Sequence, residues 1–336
     1  MKKWAQIIVM LGILPSFFFF SHNVKAEGEV GFNIQAVLPE NQQNENDSFF
    51  NLRMKAGQKQ TIKIVLNNTS NKETAFEINV NQAYTNNQGF IDYTDKQLSK
   101  SSSNAPYKID DLITYKKEIT VAAKSSVKVP FHLSMPAELF DGEILAGIQV
   151  VKKEKEDKAS IKNSVGYVLG LKLTETDKNI KRHLNLTTIK TKALFGKPTI
   201  IATLENSTME SYGHLKYDVK ILEKDKKTVF YETVYDNDMQ LAPNSSYPFA
   251  IELKDKALSA GDFVLDLRVT DAKNNKWEFT KAFKVTPEQA TKINQLTIDK
   301  DTPSKIPLLV WILSIVIILG VVILLVITLK KGKFQK

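Results

Sequence analysis

Between residues 30 and 290 apolar residues recur at every second position, in short runs separated by Asn, Gly, Ser and Lys. "FNIQAV", "FEINVNQAY", "YVLGLKLTE", "LKYDVKIL", "FVLDLRVT" and "WEFTKAFKV" are the clearest runs. A period of two marks half-buried strands, and no segment outside the two termini sustains a helical period. The pattern predicts an all-β protein built of two tandem β-sandwiches, each of about seven strands and immunoglobulin-like in architecture.

The pattern also repeats. Residues 121–133, "VAAKSSVKVPFHL", are echoed by 241–253, "LAPNSSYPFAIEL". "TIKIVLNNTS" at 61–70 is matched by "TIIATLENST" at 199–208, and "LFDGEILAGIQV" at 139–150 by "LSAGDFVLDLRV" at 258–269. Three colinear matches predict two copies of one module. The sandwiches are expected at 27–152 and 164–287, with the charged stretch "VKKEKEDKASIKNS" supplying a linker at 153–163 and a polar stalk at 288–305.

The ends carry a different pattern. Lys2 and Lys3, an apolar run and then Val24-Lys25-Ala26 have the layout of a secretory signal peptide over residues 1–26. Near the other end 24 uncharged residues at 306–329, opening on Ile306 and closing on Leu329, predict one transmembrane helix. Lys330, Lys331, Lys333 and Lys336 follow, so the tail at 330–336 is expected in the cytoplasm and residues 27–305 outside.

Composition changes the picture in two ways. The chain carries a net charge of +9, but seven of its cations sit in these terminal segments, leaving 39 basic against 37 acidic residues outside. No nucleic-acid footprint remains. The chain has no cysteine, so an exported domain of this kind must rest on its apolar core, which suits a Gram-positive surface. The N-x-[ST] triplets at Asn67, Asn68, Asn185 and Asn206 then read as strand-end and turn chemistry.

Candidate chemistry is sparse. His132, His183 and His214 show no metal-ligand spacing, and neither a G-x-S-x-G elbow, a phosphate-cradling loop nor a thiol is present. No catalytic residue, metal or cofactor is expected. Carboxylate pairs at Asp110-Asp111, Asp141 with Glu143 and Asp236 with Asp238 leave a glycosidase as the alternative. The aromatic stripe Trp277, Phe279, Phe283 and Val285 reads as core. The first copy is longer: Thr61 to Val121 spans 60 residues where Thr199 to Leu241 spans 42. The excess falls at 85–111, a loop with the aromatic and polar groups that suit a glycan or peptide.

Several stretches together resemble the WxL-interacting proteins of Gram-positive bacteria. "GFNIQAVLPENQ", "FFNLRMKAGQKQTIKIVLNN", "AYTNNQGFIDY" and "MPAELFDGEILAGIQV" are similar to the first domain of that family. "YVLGLKLTE", "MQLAPNSSYPFAIELKDKALSAGDFVLDLRV" and "KWEFTKAFKVT" are similar to its second. The family patterns fall on Pro39, Asn41 and Gln42; on Ala83, Thr85, Asn86, Gly89, Ile91 and Tyr93; and on Phe140, Asp141, Gly142, Ile144, Gly147 and Ile148. Ala146-Gly147 stands where relatives usually show a glycine pair.

The resemblance implies a peptidoglycan-binding first domain, a host-binding second domain and complexes with WxL-motif surface proteins. A membrane-anchored adhesion or scaffold protein follows, with peptidoglycan, WxL-motif proteins and host extracellular proteins as partners. Binding residues are expected where exposure meets ligand-worthy side chains, at Gln42, Asn86, Asp92 and Tyr93.

Overall fold

The computed structural model describes residues 30–102, 104–153, 165–225, 228–254 and 256–297, with positions 319, 320 and 323. The expected signal peptide and cytoplasmic tail lie outside these residues. So do the expected linker beyond Lys153, the stalk beyond residue 297 and, but for those three positions, the expected membrane helix. Among the described residues no helix is long and apolar enough to cross a membrane.

The chain is predominantly β. In order it forms β1 (Phe32–Val37), β2 (Phe50–Arg53), β3 (Lys59–Asn68), β4 (Thr74–Gln82), β5 (Tyr84–Thr85) and β6 (Ile91–Asp92). Two short helices, α1 (Lys96–Ser102) and α2 (Ile109–Leu112), precede β7 (Ile113–Tyr115), β8 (Glu118–Val121), β9 (Ser125–Ser134), β10 (Glu143–Lys152) and β11 (Gly166–Thr174). Then come β12 (Leu184–Leu194), β13 (Lys197–Asn206), β14 (Tyr212–Glu223), β15 (Val229–Leu241), β16 (Ser245–Glu252), β17 (Gly261–Thr270), β18 (Lys276–Val285) and helix α3 (Pro287–Gln295). Two compact units result. One holds the residues up to Asn185 with Glu205–Gly213 and Met239–Tyr247; the other holds Leu186–Leu204, His214–Asp238 and the residues from Pro248 on.

In the first unit a four-stranded sheet, β1-β3-β9-β7, shares one core with a five-stranded sheet, β2-β11-β10-β4-β8. Alternation delivers the core: Ile62, Ile64 and Leu66 on β3 and Val129, Phe131 and Leu133 on β9 join Phe76, Ile78 and Val80 on β4. β10 is buried almost throughout, because its outer face is covered as well as its inner one. Each fully buried aliphatic or aromatic side chain contributes about 1.5–3 kcal/mol relative to exposure.

One strand departs from the tandem expectation. "YVLGLKLTE", placed with the second copy by the sequence, is β11, and it pairs antiparallel with β10 from Glu143↔Thr174 to Val151↔Gly166. On its other side it pairs parallel with β2 from Leu171↔Phe50 to Thr174↔Arg53. Its Leu169, Leu171 and Leu173 point into the first core. The charged stretch before it therefore joins two neighbouring strands of one sheet, and a sandwich ending at 152 would lack an interior strand. The reason is the free backbone edge of β10: β4 pairs with one side, and the other needs a partner strand that the first 152 residues do not supply.

In the second unit β12-β13-β16 forms one sheet and β15-β14-β17-β18 the other. Tyr217 of β14 stacks on Phe249 of β16 with ring centroids 4.5 Å apart, joining the two sheets. The Trp277–Phe283 stripe is half-buried on edge strand β18, and Lys281 stands among it, its Nζ donating to the Thr187 carbonyl at 2.6 Å. The stalk expected from residue 288 begins as part of this unit. α3 starts with a capping box between Thr286 and Gln289, has Pro287 in its first turn and buries Ala290 and Ile293.

The duplication is visible at atomic detail. Asn68 ends β3 fully buried; its Nδ2 donates to the carbonyls of Lys72 at 2.8 Å and Ala122 at 3.0 Å, while its Oδ1 accepts from Ser70 N–H at 3.0 Å. Asn206 ends β13 in the same way, donating to Glu210 at 2.8 Å and Ala242 at 2.9 Å and accepting from Thr208 N–H at 3.0 Å. Both triplets are turn chemistry.

Candidate functional site

The stretch 85–111, expected as an irregular loop, is folded. β5 and β6 make a small hairpin whose turn is held by Asn86, with Oδ1 accepting from Gln88 N–H at 3.0 Å and Phe90 N–H at 3.1 Å. Asp92 closes the next turn by accepting from the N–H of Tyr93 at 2.6 Å and of Thr94 at 2.9 Å. Burial pushes the Asp92 carboxyl up, but the hydrogen bonds from Thr94, Tyr93 and Asn86 outweigh it and hold it below the usual range. Tyr93 lies over Gly147 of β10, where a Cβ would stand 2.5 Å from the Tyr93 Cβ. Burial, aided by the charges of Glu143 and Asp92, pushes its phenol up to about 12.

Gln42 sits apart from these three. Its backbone bridges Leu52, its Nε2 donates to the Phe49 carbonyl at 3.0 Å and its Oε1 accepts from Asn51 N–H at 3.0 Å. The structure thus gathers Asn86, Asp92 and Tyr93 into one covering element, and sets Gln42 as the clasp of the 42–51 loop. Their polar atoms bond mainly to their own turns.

The covering element leaves a pocket of about 250 Å³ beside β4. α1 is capped by Asp95, whose Oδ1 accepts from Gln97 N–H at 2.8 Å and Leu98 N–H at 2.9 Å. That cap fixes Lys96, Ser99 and Lys100 on one helix face, since residues three and four apart are neighbours. α2 is anchored by buried Ile109 and Leu112, with Ile109 N–H donating to Gln82 Oε1 at 2.9 Å. It brings Lys108, Asp110 and Asp111 to the opposite wall.

The floor is polar. Asn81 is 2% exposed; its Nδ2 donates to the Tyr93 carbonyl at 2.7 Å, and its Oδ1 is buried with no hydrogen-bond partner among the described residues. Lys96 Nζ donates to Asn79 Oδ1 at 3.3 Å, and Lys100 approaches Asp110 at 3.7 Å. Three ammonium groups against two carboxylates, over an amide floor, can bind an amide-rich chain carrying a carboxylate. Sequence reasoning named the stretch but passed over these lysines. Lys96, Ser99 and Lys100 at helical spacing behind Asp95 were the signal available.

Two family models match, in order. The description "WxL Interacting Protein, peptidoglycan binding domain" matches residues 32–152, and "WxL Interacting Protein, host binding domain" matches 156–295. The chain belongs to the WxL-interacting protein family.

In this family member β11 lies in the stretch matched by the second model yet pairs in the sheet of the first. No curated protein matches the chain. Among solved structures it is similar to a chain of the Salmonella enterica SafA pilin–SafB chaperone complex, at 11% identity over 77% of this chain and 99% of that one, with a TM-score of 0.30. It is also similar to the E. coli chaperone DraB, at 13% identity over 76% of this chain and 95% of that one (TM-score 0.28). A PapD-like domain of human CEP192 is similar at 11% identity over 48% of this chain and 97% of that one (TM-score 0.30).

The motif glycines have steric roles. Gly89 (φ 81°) and Gly142 (φ 98°) take left-handed turns, and a Cβ on Gly89 would meet the Tyr247 hydroxyl at 2.9 Å. The carboxylate pairs are largely matched with basic partners: Asp141 with Lys178 at 2.7 Å, Glu143 with Lys172 at 2.6 Å and Asp236 with Lys216 at 3.4 Å, while Asp238 lies against the His214 ring. Both matched families are named for binding.

Proposed function

We propose that this chain is a single-pass surface scaffold that grips peptidoglycan through its first domain and meets WxL-motif surface proteins and host proteins through its second. In this reading residues 1–26 direct export and are removed, 306–329 cross the membrane, and both domains are immunoglobulin-like sandwiches displayed outside. The order of the two family matches, wall-binding before host-binding, carries the reading.

The wall contact is assigned to the pocket of Lys96, Lys100 and Lys108. Stem peptides of peptidoglycan bring carboxylates and amides together, the chemistry that these ammoniums and Asn81 accommodate. Asn86, Asp92 and Tyr93 then serve by holding the covering element in place, and Gln42 by closing its own loop.

The test is co-sedimentation of the full chain with purified sacculi. Lys96→Glu, Lys100→Glu and Lys108→Glu are each expected to weaken retention about tenfold, the loss of one charge-assisted bond of roughly 1.5 kcal/mol. Retention is also expected to fall with added salt. Full retention of the triple variant would remove the pocket from the reading, and no retention of the unaltered chain would remove the wall contact itself.

A further inference from the structure

β12 and β13 are joined by two residues, Phe195 and Gly196, both with positive φ (49° and 71°). A two-residue hairpin turn of this kind favours Asn-Gly, because a bulky side chain is disfavoured in the left-handed region. Here the first position is a phenylalanine that is 91% exposed, the most exposed of the large apolar side chains described. Local rules are broken twice at one residue, by backbone conformation and by exposure, and folding does not gain from either.

The surroundings say what the tip meets. Lys190 and Lys192 are exposed on β12 behind it. Leu253 N–H donates to the Pro198 carbonyl at 2.9 Å, which brings exposed Lys254 to the root of the hairpin. A few residues on, Leu258 is clamped to the last turn of α3: its N–H donates to Asn294 Oδ1 at 3.0 Å, and Asn294 Nδ2 returns a bond to its carbonyl at 2.9 Å. The hairpin root and the end of α3 are thus stitched to one connection, at one end of the second unit.

From α3 the chain continues for ten residues, 296–305, before the uncharged run that begins at Ile306. Ten extended residues reach at most about 35 Å. We infer that the Phe195 hairpin docks on the outer surface of the membrane, its ring entering the interfacial layer and its lysines meeting anionic headgroups. This rests on the anchor proposed above. A single protruding aromatic flanked by cations, held within tether range of a bilayer, is the arrangement that interfacial anchors use.

The test exploits the absence of cysteine. Full chains carrying Ala193→Cys, or Ala272→Cys in the turn between β17 and β18 at the other end of the unit, are labelled with an environment-sensitive fluorophore. They are reconstituted into phosphatidylglycerol–phosphatidylcholine vesicles containing brominated acyl chains. Quenching is expected at residue 193 and absent at 272. Adding Phe195→Asn is expected to abolish it while raising the thermal midpoint, since Asn-Gly suits the turn. A chain that resists alkaline extraction but shows no more quenching at 193 than at 272 overturns the hairpin inference and leaves the anchor standing. A chain extracted by alkali ends both. Quenching that survives Phe195→Asn, or that appears without brominated lipid, also overturns it.

Discussion

Single side chains decide more of this molecule than its composition suggests. Asn68 and Asn206 each hold together a strand end and a following turn from a fully buried position. Asn68→Ala would remove one donor each from the Lys72, Val121 and Ala122 carbonyls, of which Lys72 keeps the Ser70 hydroxyl at 2.9 Å and Ala122 the Ser125 hydroxyl at 2.7 Å. A cost of about 1–3 kcal/mol is expected in chemical denaturation, with Asn206→Ala costing a similar amount, because each substitution removes several hydrogen bonds of a fully buried amide at once. That both residues end strands was readable from the sequence, since the same Asn recurs before the same small polar residues. That Asn86 and Asp92 would bond to their own turns was not. A side chain suited to a ligand is equally suited to a neighbouring N–H, and only the backbone path distinguishes the two. The pocket lysines left only a faint signal, one helical turn of spacing behind the Asp95 cap, because a helix of seven residues is too short to repeat it.

At the level of elements, the alternating runs announced the strands, and the strands form. Their partners were not announced. β11 looks like an opening strand of a second copy because it follows a charged stretch, yet its register is set by β10 and β2. A protease site placed within 154–164 separates the two readings. Were the stretch a free linker, cleavage would release two bodies. With β10 and β11 paired over nine positions, the two pieces are expected to co-elute in size exclusion and to part only in denaturant. Leu171→Ala, removing a side chain 1% exposed, is expected to cost about 2–5 kcal/mol and to weaken that association.

For the molecule as a whole, pH reaches both units through half-buried phenols. Tyr93 in the first unit and Tyr235 in the second are each pushed up to about 12, chiefly by burial. An unfolded tyrosine ionises near pH 10, so the folded chain keeps its full stability below about pH 10 and loses it as pH climbs towards 12. Denaturant midpoints compared at about pH 8 and about pH 11 should fall, and Tyr93→Phe with Tyr235→Phe should flatten the fall. Asp92 works in the opposite sense: its lowered carboxyl adds stability above the ordinary carboxylate range that vanishes as acid protonates it.

The late arrival of β11 has a consequence for how the chain is made. During synthesis Lys152 appears 22 residues before Thr174, roughly 1–4 s at 5–20 residues per second. Throughout that interval β10 offers a bare row of backbone donors and acceptors, and any neighbouring nascent copy carries the matching strand. Copies emerging side by side on the outer surface would then exchange β11, so lower expression should favour correctly closed monomers over swapped dimers.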